Sequence, residues 1–156
     1  MTAPYSELIQ GALHLRLAPG PRHERICARL HELIHASVAN MPAIRLLPPR
    51  ARINLDHQTA LCPDLGLVAA ATNKLWLAAE IVSADDHRPD TVVKKQVYEE
   101  HGLARLWMID PRYDNVEVYH GSPYGLALKT ILGGREILTE KIVPEFQVAI
   151  TELFKA

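Results

Sequence analysis

The sequence predicts a mixed α/β fold, a β-sheet packed by two principal helices, on three observations. An apolar stripe at helical spacing runs from about Arg22 to Asn40. Two apolar runs, Leu65–Ala70 and Leu75–Val82, face each other across Thr72-Asn73-Lys74. A second helical stretch then precedes another apolar strand, and the order helix, strands, helix, strand belongs to a mixed sheet.

The first helix follows the break Pro19-Gly20-Pro21, and Ile26, Leu30, Leu33, Ile34 and Ser37 form its inward stripe. Ala43–Leu47 and Arg50–Leu55 read as short strands separated by Pro48-Pro49. The runs 65–70 and 75–82 read as a hairpin buried on both faces, because neither alternates apolar with polar. The second helix has Asp90 as its N-cap or in its first turn and ends near Gly102. Its spacing puts Val93, Val97 and His101 inward, Lys94 and Tyr98 along the edge of that stripe, and Lys95 outward beside Glu99. Leu103–Ile109 is a strand stopped by Asp110-Pro111; Asn115–His120 and Leu126–Leu132 are further strands, and Thr151–Lys155 is a short terminal helix. No repeat, low-complexity tract or linker divides the chain, so one domain is expected over residues 1–156.

Composition excludes several classes. With 48% hydrophobic and 22% charged residues the chain is not disordered. Its longest apolar runs are far short of the roughly 18 residues of a membrane helix. Met1-Thr2-Ala3-Pro4 lacks the features of a secretory signal, so a cytoplasmic protein without a membrane partner is expected. Cys27 and Cys62 imply no disulfide framework. A net charge of −1 does not describe a polycation, although the first sixty residues hold seven arginines against four acids, a modest bias toward phosphates.

Two acids stand where burial is costly without a task. Asp64 opens an apolar strand directly after Pro63, and Glu80 lies near the end of the next strand, before Ile81-Val82. The hairpin places both carboxylates at the same end of the sheet, where they form a hard-oxygen pair suited to magnesium or manganese. Taken alone, a strand acid such as Glu80 reads more readily as the partner of an arginine or as a backbone cap. Lys94 can reach the sheet from the second helix, or pair with Asp90 one turn away.

Together these pieces resemble the PD-(D/E)XK nuclease superfamily: Pro63-Asp64, then Glu80-Ile81-Val82-Ser83, then Lys94 with Tyr98 and Gly102. Within it the chain resembles the Uma-type putative restriction endonuclease family. Ser6-Glu7-Leu8-Ile9-Gln10-Gly11-Ala12-Leu13 is similar to that family's opening segment, and Pro21-Arg22-His23 to its first helix start. His101-Gly102-Leu103 through Leu106-Trp107-Met108-Ile109-Asp110-Pro111, Asn115–Tyr119, Pro144-Glu145-Phe146 and Glu152-Leu153-Phe154 match later segments. The order and spacing of these pieces, over nearly the whole chain, carry the resemblance.

The resemblance implies a restriction-endonuclease-like mixed β-sheet core flanked by two main helices, and a metal-dependent endonuclease acting on nucleic acid, expected to be DNA. Asp64 and Glu80 match the two metal-binding acids, with the Ile81 carbonyl as a third ligand for Mg2+ or Mn2+. The superfamily's short motif puts a lysine two residues after the second acid, where this chain has Val82; the Uma-type pattern moves it to the next helix, onto Lys94. That amine would orient or deprotonate the attacking water and offset charge on the phosphate. His23 matches the family histidine at the helix start and is an auxiliary candidate. Cleavage of a duplex needs two sites, which a homodimer would supply. One departure bears on activity: Gln10 and Ala12 stand where the family's opening segment carries acids, so a catalytically impaired binding or regulatory protein on the same scaffold is the alternative.

A competing motif lies in the first helix. His31-Glu32-Leu33-Ile34-His35 matches H-E-x-x-H, the helical zinc signature of metallopeptidases. The helical phase puts His31 and His35 on the flank or solvent face, and no clear third ligand follows. The nuclease reading is preferred.

Overall fold

The computed structural model describes residues 3–83 and 88–155, without the side chains of 88–90. Three sheets and three helices are built among these described residues. A four-stranded sheet, ordered β2-β1-β5-β4, contains β1 (Tyr5–Ile9), β2 (Ala12–Arg16), β4 (Ile53–Asp56) and β5 (Thr59–Leu61). The larger sheet, ordered β10-β9-β8-β7-β6-β3, contains β3 (Ile44–Leu46), β6 (Leu65–Ala69), β7 (Leu75–Ile81), β8 (Arg105–Asp110), β9 (Asn115–Ser122) and β10 (Gly125–Gly133). A small ribbon pairs β11 (Ile137–Thr139) with β12 (Gln147–Ala149). The helices are α1 (Pro21–Val38), α2 (Arg88–Glu100) and α3 (Ile150–Leu153). No helix among the described residues is long and apolar enough to cross a membrane.

The expected hairpin is β6–β7, paired antiparallel from Leu65 opposite Ala79. In the larger sheet only β7 and β8 run parallel, and α2 is the crossover between them. Both faces of β7 are covered, which explains its lack of alternation. Leu77, Ala79 and Ile81 pack on α1 through Ile26, Leu30 and Ile34, with Trp107 and Phe146 stacked behind. Leu75 and Ala78 look the other way, toward Val97 and Tyr98 of α2 and Ile9 and Leu61 of the small sheet. The two-residue period of the strand therefore aims Glu80 at α2 and β1, and Ile81 at α1.

Several elements differ from the sequence expectation. Strands β1, β2, β5, β11 and β12 were not foreseen; each has five residues or fewer, too short for a clear period. On α1 the buried stripe is His23, Ile26, Cys27, Leu30, Ile34 and Ser37, so Leu33 is displaced to the edge of the core. On α2, Val93 is 38% exposed while Lys94, Val97 and Tyr98 are buried, a rotation from the expected Val93-Val97-His101 stripe. A purely hydrophobic phase misreads a helix whose inward face carries a lysine. Lys95 also differs: its Nζ lies 5.0 Å from the centre of the Tyr119 ring, and the Glu99 carboxylate accepts the Leu126 backbone N–H instead. Asp90 lies in the first turn of α2, its side chain outside the described residues. The C-terminus falls as expected: Gly102 adopts φ +71°, and Leu103 N–H bonds back to Tyr98 O, closing a Schellman-type cap.

Candidate active site

The end of the β6–β7 hairpin holds the two acids expected there. Asp64 is buried; its Oδ2 accepts the Ile81 backbone N–H at 2.8 Å, which joins the two strands just beyond their last ladder pair. Its Oδ1 accepts Arg50 Nη1 at 3.0 Å, and Arg50 Nη2 donates to Glu24 Oε2 at 2.9 Å. His23 Nε2 lies 3.1 Å from the Ile81 carbonyl and 3.4 Å from Asp64 Oδ2. A carbonyl oxygen only accepts, so Nε2 carries a proton in that bond.

Glu80 is gripped from one turn of α2. Lys94 Nζ donates to its Oε1 at 2.7 Å and the Tyr98 hydroxyl to its Oε2 at 2.5 Å. Positions i and i+4 of a helix share a face, so both groups reach one carboxylate. Lys94 also lies 2.9 Å from Glu7 Oε2. Glu7 in turn accepts the Cys62 backbone N–H at 2.8 Å and Arg16 Nε at 2.9 Å. Asp64, Glu80, Ile81, His23 and Lys94 thus all border one cleft of about 570 Å³.

Burial and charge set the protonation of these groups. Burial pushes the Glu80 carboxyl up to about 7, and the negative charges of Glu7 and Asp64 add to this against the pull of Lys94. Against burial, the hydrogen bond and charge of His23 with the Ile81 N–H hold Asp64 below the usual carboxylate range. Glu7 is likewise held low, against burial, by Lys94, the Cys62 N–H and Arg16. Burial disfavours the Lys94 ammonium, yet Glu80 and Glu7 outweigh it and raise the Lys94 pKa. Lys94 therefore stays protonated at neutral pH. The ammonium form orients a water and offsets charge, whereas taking a proton from that water needs the neutral amine.

Glu7 escaped the sequence reading. Its signal was present: an acid in the apolar run Tyr5–Ile9, on the same alternating face as buried Ile9, the logic that singled out Glu80. Arg50 and Glu24 were also missed, because only the folded chain brings them to Asp64. Gln10 and Ala12 lie at the exposed β1–β2 turn and do not border the cleft, so their neutrality removes no carboxylate from it.

The donor chemistry suits a hard cation. Two carboxylates and a backbone carbonyl on one cleft are oxygen ligands of the kind magnesium shares with water and substrate phosphate. Among the described residues no three His, Cys, Asp or Glu side chains converge to hold an ion, so a site would draw on the Ile81 carbonyl and solvent as well as Asp64 and Glu80. The zinc motif does not assemble. His35 is exposed, and His31, on the flank of α1, is half-buried with Nε2 2.7 Å from the Asp64 carbonyl oxygen.

The profile of the Uma2 family, described as a putative restriction endonuclease, matches residues 2–151. Among solved structures, one similar to the chain is a crystal structure of a putative nuclease belonging to DUF820 from Anabaena variabilis. It has a TM-score of 0.81 and 18% identity, covering 97% of this chain and 90% of that one. No curated protein matches the chain.

Proposed function

Because the chain belongs to the Uma2 family of putative restriction endonucleases, we propose that it is a metal-dependent endonuclease hydrolysing phosphodiester bonds in DNA. The observation that carries this reading is the convergence on one cleft of Asp64, just before β6, Glu80 of β7 and Lys94 of α2. Asp64, Glu80 and the Ile81 carbonyl would hold Mg2+ or Mn2+, which when bound would polarise the scissile phosphate and favour ionisation of water.

The chain's own residues do the rest. Lys94, a fixed ammonium between Glu7 and Glu80, lies where it can orient an attacking water and offset charge developing on phosphate oxygens. Tyr98 fixes the Glu80 rotamer through Oε2. His23 bridges the Ile81 carbonyl and Asp64 and so sets the geometry of two candidate ligands at once. Arg16, Arg22 and Arg112 border the same cleft, paired with Glu7, Asp114 and Asp110. Duplex cleavage would need two such sites, which a homodimer would provide.

The test is cleavage of plasmid and of DNA and RNA oligonucleotides with Mg2+ or Mn2+, with Asp64→Asn as control. Metal-dependent DNA cleavage lost in the variant supports the reading; cleavage of RNA alone would reassign the substrate. The alternative of a non-catalytic binding protein draws on the cations already seated on the carboxylates, Lys94 on Glu80 and Arg50 on Asp64. Nucleic-acid binding without cleavage under any metal would favour it.

A further inference from the structure

Arg50 sits in a loop that the metal-binding pattern does not include, yet it is built into the site. Its backbone adopts φ +58°, a left-handed conformation uncommon for a side chain other than glycine, and its N–H donates to the Pro63 carbonyl at 2.9 Å. Those two features fix the loop against the residue preceding Asp64. The guanidinium, 14% exposed, is divided between two carboxylates: Nη1 on Asp64 Oδ1 and Nη2 on Glu24 Oε2. Glu24 keeps its other oxygen, Oε1, buried without a hydrogen-bond partner; His23 Nδ1, itself unpartnered, is 3.5 Å away. An arginine fork normally meets one carboxylate with two parallel bonds. Here one tooth is on Asp64 while a vacant acceptor waits on Glu24.

We infer that Arg50 is a resident counter-cation of Asp64, a positioning residue that occupies the carboxylate in the metal-free protein and yields it when a divalent ion binds. This rests on the metal-site reading above. Without a metal, a buried Asp64 beside Glu80 needs positive partners; His23 faces Oδ2 and Arg50 holds Oδ1. Coordination at Asp64 brings a second cation close to the guanidinium, and the two repel. The vacant Glu24 Oε1 lets Nη1 leave Asp64 without losing a hydrogen bond, giving a bidentate Arg50–Glu24 pair. Glu24 is thus the receiver, and its acceptor sets how readily Asp64 is released.

The consequence is a pair of opposite and coupled effects on direct metal affinity, and the coupling is what a simple charge effect would not give. Mn2+ binding is measured by titration calorimetry and by the loss of free-Mn2+ paramagnetic resonance signal, with melting curves for each protein. Arg50→Gln is expected to melt lower without metal yet bind Mn2+ about tenfold more tightly, the order expected for removing one charged hydrogen bond that competes with it. Glu24→Gln is expected to bind Mn2+ several-fold more weakly. In the double variant that loss should vanish, since Glu24 acts through Arg50. Unchanged or weaker binding in Arg50→Gln would overturn the inference, and so would an equal Glu24→Gln loss in both backgrounds, which would mark a simple charge effect. If Arg50→Gln does not fold, the Glu24→Gln and Glu24→Ala variants decide: unaltered Mn2+ affinity in both overturns the inference. No Mn2+ binding by the parent or any variant would overturn the metal site itself, and this device with it, whereas parent binding unmoved by these substitutions overturns the device alone.

Discussion

Glu7 Oε2 and Lys94 Nζ meet 2.9 Å apart, strand β1 to helix α2, and the Glu7 side chain has no exposed surface left. Removing one member of a buried pair strands the other. Glu7→Ala is therefore expected to cost about 3–5 kcal/mol in urea unfolding, against less for Glu7→Gln, which keeps an acceptor for the Cys62 N–H. A loss below about 1 kcal/mol in Glu7→Ala would show that the pair is not buried in solution.

Neighbouring lysines give the sharpest contrast. Lys94→Ala is expected to lower metal-dependent cleavage by about two orders of magnitude or more. It should also lower the melting temperature, because Glu7 and Glu80 then face each other without their shared cation. Lys95→Ala removes only a contact with the Tyr119 ring, so activity should stay within a few-fold and stability within about 1 kcal/mol. Initial cleavage rates and melting curves under one metal and salt condition check both, and equal losses of activity would indicate general phosphate attraction.

The acid raised by burial makes stability depend on pH. Glu80, moved from 4.5 to about 7, holds its proton more tightly folded than unfolded. Its contribution is complete below about pH 4.5 and is lost as pH rises through about 7. His23, raised above 6.5, works in the same direction at higher pH. Asp64 and Glu7 are lowered, so their contributions hold above their ordinary values and fail only in acid. The metal-free melting temperature should fall from about pH 5 to 7.5, and less steeply in Glu80→Gln. A melting temperature that rises over that interval in the parent would contradict the burial of Glu80.

A divalent cation reverses that trend by favouring the ionised acids. Millimolar Mg2+ or Mn2+ should raise the melting temperature, more at pH 7.5 than at pH 5.5, and the shift should disappear in Asp64→Asn. No shift in the parent at either pH would favour the non-catalytic alternative.

Much of this site was legible because it uses the strand period. Asp64 and Glu80 interrupt apolar strands, and a hairpin turn fixes them at one end, so sequence alone could pair them. Lys94 could be assigned its helix but not its full depth, since hydrophobic phase set the axis one position off and put Val93 inside. Glu7, Arg50 and Glu24 were out of reach for a different reason. Strand β1 is brought to the site by its pairing with β5, and Arg50 by a left-handed turn pinned to Pro63, contacts that local patterns do not encode. Gln10 and Ala12 drew attention by resemblance, yet the turn that carries them lies apart from the chemistry.

The two thiols have a practical consequence for anyone attaching a probe. Cys27 and Cys62 are buried, and burial first of all pushes both away from the reactive thiolate, Cys27 up to about 12. The native protein is therefore expected to react slowly with maleimides and iodoacetamides. A cysteine introduced at Tyr124, 97% exposed at the β9–β10 tip, would be the fast-labelling position. A dye could be placed there without first engineering away the natural pair, and substrate docking followed by fluorescence in an otherwise unaltered chain.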